Sequence, residues 1–165
     1  EKRYSGAWLS EGFADYLAPD DFGGPNLERL MYLKGEMDAG KTLMPIQYLM
    51  TFEAGSGKQS VHKLNPEYAL LSYAESWAFV YFLMKNYPDA FMQYLLAVKN
   101  RDKDFSPEKD IALLEKHLGK KINELDKDFE AYTKKLMADK IDEQEYYYFK
   151  FFNPLTLFPA PEKFK

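Results

Sequence analysis

Asn65-Pro66-Glu67-Tyr68-Ala69-Leu70-Leu71-Ser72-Tyr73-Ala74-Glu75-Ser76-Trp77-Ala78-Phe79-Val80-Tyr81-Phe82-Leu83-Met84-Lys85-Asn86-Tyr87 reads as one long helix. Asn65 suits the N-cap, Pro66 the first helical position, and Glu67 the positive end of the helix dipole. Beyond that start the segment is apolar almost all round, with Tyr68, Leu70, Leu71, Tyr73, Trp77, Phe79, Val80, Phe82 and Leu83. A helix without a polar face belongs in the middle of a domain. Ser72, Glu75 and Ser76 are its few polar interruptions, and Glu75 and Ser76 are expected to satisfy each other or a neighbouring helix. The longest unbroken apolar run, Trp77 to Met84, is far short of the roughly 20 residues that span a bilayer.

Helical signals flank this segment on both sides. Upstream, Tyr4 to about Leu17 has a helical pattern, which Pro19, Gly23, Gly24 and Pro25 end. A second helix is expected from Pro25 or Asn26, with Leu27, Leu30, Met31 and Lys34 along one stripe, and Pro45 suits the first turn of a short helix through Met50. Phe52 to Leu64 reads as a loop. Its Gly55-Ser56-Gly57-Lys58 is not a phosphate loop, because Phe52 and Gln59 stand where that motif needs glycine and a hydroxyl residue. Downstream, Pro88 opens a helix to about Lys99, and Ser106-Pro107-Glu108 opens another that Gly119 stops after Leu118. Ile122, Leu125, Phe129, Tyr132 and Leu136 then trace the buried stripe of a surface helix.

No convincing strand pattern precedes Tyr146, and no long period repeats. The expected class is mainly α, with residues 1–140 as a helical unit. Residues 141–165 are expected to form an irregular aromatic and proline-containing tail. It carries Tyr146-Tyr147-Tyr148-Phe149 and Phe151-Phe152 ahead of Pro154, Pro159 and Pro161, so it is not one continuous helix. Such a tail is expected to wrap its own domain, with a docking arm for a partner as the competing reading.

Length and composition suit one globular domain: 165 residues, 46% apolar and 17% aromatic, with a formal charge of −4. Acids and bases are interleaved, which argues against a nucleic-acid footprint. The chain has no cysteine, which excludes disulfides and thiolate ligands and leaves the compartment open. Because it begins at Glu1 without a signal pattern, it reads as a piece of a longer polypeptide.

The chemistry is concentrated in Trp8-Leu9-Ser10-Glu11-Gly12-Phe13-Ala14-Asp15-Tyr16-Leu17. Glu11 and Asp15 lie one turn apart on one face of an otherwise largely apolar helix. Burying that helix would carry the two acids with it, and buried acids need a cation or hydrogen-bond donors.

This stretch resembles the Trp-Leu-x-Glu-Gly-Phe-Ala-x-Tyr motif of gluzincin metallopeptidases, the clan that includes aminopeptidase N. The resemblance implies a helical C-terminal subdomain of a zincin-like metallopeptidase, with Glu11 as the third protein ligand of a catalytic zinc. Two imidazoles and one carboxylate leave a fourth zinc position for water. By the same resemblance Asp15 is the acid that accepts a hydrogen bond from a metal-ligating histidine and so orients it. Tyr73-Ala74-Glu75-Ser76-Trp77-Ala78-Phe79 is similar to the Tyr-x-x-Gly-Phe-Ala segment of the same enzymes, which implies that Tyr73 stabilises the oxyanion of the tetrahedral intermediate. Ser76 stands where those enzymes have glycine. Over roughly Tyr4 to Tyr132 the chain also resembles a bacterial domain family of unknown function, whose members carry a Trp-Leu-Ser-Glu-Gly helix and a later Tyr-x-x-Ser-Trp-Ala helix.

The clan's His-Glu-x-x-His helix is absent from these residues. The two histidines, His62 and His117, are 55 positions apart, and a loop histidine such as His62 is expected to be solvated. The missing ligands and general base are therefore expected before residue 1. The resulting expectation is a fragment of a zinc-dependent peptidase: zinc and a peptide or protein substrate for the parent, and neither metal nor activity for the isolated chain. The alternative is a non-catalytic helical binding module on a degenerate peptidase scaffold. Export is implied only by analogy with bacterial relatives, and oligomeric state is left open.

Overall fold

The computed structural model describes residues 6–19, 23–51, 66–100 and 105–152. Every regular element among them is a helix: α1 (Ala7–Leu17), α2 (Leu27–Asp38), α3 (Ile46–Thr51), α4 (Pro66–Asn86), α5 (Pro88–Lys99), α6 (Pro107–Leu118), α7 (Ile122–Lys140) and α8 (Glu143–Phe152). No helix among the described residues is long and apolar enough to cross a membrane. The loop expected over 52–64, with His62, lies outside them, as does Asn65.

Local chemistry explains several helix ends. Asn26 accepts the Arg29 N–H and so caps α2. Ser106 does the same for Lys109 at the start of α6, whose other end is Gly119 with φ 65°. Pro88 and Pro107 occupy first-turn positions, where the missing N–H costs nothing. The short α3 is held from outside: Asp126 of α7 accepts the Ile46 N–H at 2.7 Å, and both Glu75 oxygens of α4 lie 3.1 Å from the Met44 N–H.

Helix α4 is the axis of the domain. Helices α1, α2, α3, α5 and α7 all pack on it, with α1 making the most extensive contact. Ala74, Trp77, Phe79, Val80 and Leu83 are fully buried on different sides of α4, as its lack of a polar face requires. Around them rings interlock: Phe79 meets Trp8 at 5.3 Å and Phe129 at 5.2 Å, while Phe82 meets Tyr132 at 5.3 Å. Trp77, Tyr81, Phe91 and Tyr94 are buried in the same core.

The tail departs from expectation. Residues 143–152 form a helix, not an irregular segment, because no proline interrupts the chain before Pro154. Tyr146 seats α8 on α2: it is buried, its hydroxyl donates to Asp38 at 2.8 Å, and Lys34 Nζ stands 4.5 Å from its ring centroid. The docking is on the chain's own domain. Tyr147, Tyr148 and Phe151 face outward from α8. The remainder of the tail lies outside the described residues.

Candidate functional site

Helix α1 begins after Gly6, whose φ of 62° is left-handed and suits glycine. Along α1 the buried residues Trp8, Gly12 and Tyr16 recur every four positions and face α4. A Cβ on Gly12 would stand 2.5 Å from the Ser76 carbonyl oxygen and 2.6 Å from Val80 Cγ2. Only glycine allows α1 to lie this deep on α4. The motif's glycine therefore has a packing role that brings the neighbouring carboxylates to the flank of α4.

Glu11 and Asp15 occupy that flank with contrasting surroundings. Asp15 is clamped by the first turn of α2: Arg29 Nε donates to Oδ2 at 2.8 Å and Nη2 to Oδ1 at 3.2 Å, while Asn26 Nδ2 donates to the Asp15 carbonyl at 3.4 Å. Glu11 is half-buried, and among the described residues it makes no hydrogen bond and no ion pair. Tyr73 lies within the electrostatic reach of all three charges. Burial and then the Glu11 carboxylate push its hydroxyl above the usual tyrosine range; Arg29 opposes that rise and Asp15 adds to it. The structure thus brings Tyr73 within electrostatic range of Glu11 and Asp15, although Glu11 and Tyr73 are 62 positions apart in the sequence.

Arg29 is the member of this group that the sequence did not reveal. Its only visible signal is its place in the first turn after the Asn26 cap, which identifies a helix start and nothing about a partner 14 positions earlier.

The neighbouring polar residues of α4 behave differently from expectation. Glu75 takes the Met44 N–H and not Ser76, and the Ser76 hydroxyl, like Trp77 Nε1, is buried without a hydrogen-bond partner among the described residues. Successive helical residues point about 100° apart, so on a helix surrounded by others they face different neighbours. Burial raises the Glu75 carboxyl to about 8, against which the Met44 hydrogen bond acts only in part. A second buried acid, Asp110 of α6, accepts Trp8 Nε1 at 3.3 Å and the Tyr94 hydroxyl at 2.7 Å and so ties the motif's tryptophan to α5 and α6.

The opposite flank of α1 carries a cleft of about 400 Å³ lined by Leu9, Phe13, Leu95 and Val98, with Ser10 and Lys99. Leu9 and Phe13 leave the helix on the side away from Glu11 and Asp15, so the carboxylates do not open into this cleft. His117 is on α6, in the last turn, and belongs to no group of three candidate ligands among the described residues. Nor is any group of three histidine, aspartate or glutamate side chains among those residues arranged to hold a metal.

These features define a helical domain in which a buried glycine crossing presents one clamped and one unclamped carboxylate beside a tyrosine. The chain belongs to a family of proteins of unknown function, DUF1570, whose sequence model matches residues 2–103. That span holds α1 to α5 and all four residues of the cluster, whereas α6 to α8 lie beyond it. Comparison with curated proteins and with solved structures gave no match.

Proposed function

We propose that this chain contributes one wall of a gluzincin-like zinc peptidase centre, with Glu11 as a metal ligand and Tyr73 as the oxyanion donor. The reading is supported above all by Glu11: a half-buried carboxylate with no protein donor among the described residues, beside a tyrosine and a carboxylate already neutralised by arginine. The donor set suits zinc in kind, since a carboxylate is an ordinary zinc ligand, but it supplies one ligand where a protein site needs three or four. The remaining ligands and the general base would come from outside these 165 residues. Zinc in such a centre supplies Lewis-acid polarisation of water and of the scissile carbonyl.

The chain's own residues then have separable tasks. Glu11 would hold the metal by a carboxylate oxygen. Tyr73 stays protonated at neutral pH, because burial and Glu11 both raise its pKa, and can donate its proton in a hydrogen bond to a developing oxyanion without carrying charge itself. The Gly12 crossing keeps α1 and α4, and hence these two groups, in fixed register.

The test is zinc content. The 165-residue chain should be essentially zinc-free after dialysis, because one carboxylate cannot retain the ion. A polypeptide extended upstream to include a His-Glu-x-x-His helix should retain zinc, lose it in Glu11→Ala, and keep it in Tyr73→Phe while turning over peptides about 100-fold more slowly. Unchanged zinc content in Glu11→Ala would remove Glu11 from the site, and an upstream sequence with no such helix would favour the binding-module reading.

A further inference from the structure

We propose that Asp15 is a positioning residue that holds the Arg29 guanidinium away from Glu11 and so leaves the Glu11 carboxylate open to a cation. Glu11 and Asp15 are one helical turn apart, about 5–6 Å between Cβ atoms, a distance that a long arginine side chain can cover by rotamer change. Arg29 therefore has two carboxylates to choose between, and in the structure both of its donating nitrogens go to Asp15.

The choice has a visible cause. A bidentate pair is stronger and more directional than a single contact. Asn26 reinforces it from both ends, by donating to the Asp15 carbonyl and accepting the Arg29 N–H. Nothing comparable among the described residues anchors Glu11 to α2. Without the Asp15 charge, Glu11 is the carboxylate left on that flank of α1, and the guanidinium would turn to it. A carboxylate taken by arginine is no longer a good ligand for a cation. The ion-pair exchange is independent of the peptidase proposal; only the identity of the cation as zinc rests on it.

The experiment uses the 165-residue chain without metal. Glu11→Gln is measured by thermal unfolding in the wild-type, Asp15→Asn and Asp15→Asn/Arg29→Met backgrounds, with far-ultraviolet circular dichroism to confirm folding. Contacts between the Arg29 side-chain N–H groups and the Glu11 methylenes are followed by nuclear Overhauser measurements. In the wild-type background Glu11→Gln should move Tm by under about 1 °C, and no Arg29 to Glu11 contact should be seen. In Asp15→Asn the contact should appear and Glu11→Gln should lower Tm by about 2–4 °C, an effect that Arg29→Met removes.

A Tm change without the new contact would show that the released guanidinium does not turn to Glu11, and would overturn the proposal. So would a contact already present in the wild type. Failure of the zinc experiment leaves this result untouched, since no metal or turnover enters it.

Discussion

Gly12 of α1 lies against the Ser76 carbonyl of α4 so closely that a Cβ would sit 2.5 Å from its oxygen. The obstacle is backbone in the middle of a 21-residue helix, which cannot swing aside as a side chain can. Gly12→Ala should therefore cost at least about 3 kcal/mol, the upper range for overpacking. Gly40→Ala serves as the comparison, because Gly40 has a φ of 87° with no atom within 4 Å of its would-be Cβ, so it carries backbone strain and no clash. Urea unfolding of both variants checks the claim, and a Gly12→Ala loss no larger than that of Gly40→Ala would refute it.

Glu75 makes stability depend on pH with a definite sign. Its carboxyl is raised from 4.5 to about 8 by burial, so between those values the folded chain keeps a proton that the unfolded chain has released. Stability from this group is complete below pH 4.5, falls as pH rises, and is lost above about 8. Glutamine mimics the protonated form and can still accept the Met44 N–H. Glu75→Gln should flatten the loss of stability between about pH 5 and 8.5 and raise stability at the upper end by up to about 5 kcal/mol, at about 1.4 kcal/mol per pKa unit. Chemical denaturation across that range measures it, and parallel curves for the two proteins would show that Glu75 does not titrate there.

Asp110 offers an acceptor to Trp8 with one oxygen and to Tyr94 with the other, and is 1% exposed. An asparagine side chain in its place would retain one acceptor and turn an NH2 group toward a donor. Asp110→Asn should thus cost about 2 kcal/mol, the scale of a buried donor left unsatisfied. Equilibrium unfolding reads this directly, and a change below about 0.5 kcal/mol would mean that the two donors find other partners.

Much of the helical framework is legible in the sequence. Proline and cap signals place the starts of α5 and α6 correctly, and the all-round apolar character of 66–86 identifies the central helix. Such signals are local: a cap or a first-turn proline acts within one turn, so the sequence displays it whole. The same kind of signal misleads in the tail. Pro154, Pro159 and Pro161 do forbid a long helix through them, but their reach stops one turn upstream, and Glu143–Phe152 is helical.

At the candidate site the sequence offers residue types and a resemblance, which bring Glu11, Asp15 and Tyr73 into view together. It offers no means of seeing Arg29, because the Asp15 to Arg29 pair joins two helices across a turn and follows no periodicity. Nor does it show the partner of Glu75, which is a main-chain N–H and so has no residue-type signature.

The sequence by itself determined an α-helical chain, its central helix, and two carboxylates sharing a face of the first helix, because those properties follow from spacing along one helix. Only the tertiary structure decided that one carboxylate is clamped by arginine while the other is not, and that a glycine lets them lie against α4. Ion pairs and close backbone approaches depend on which elements meet and at what depth, and packing between helices sets both.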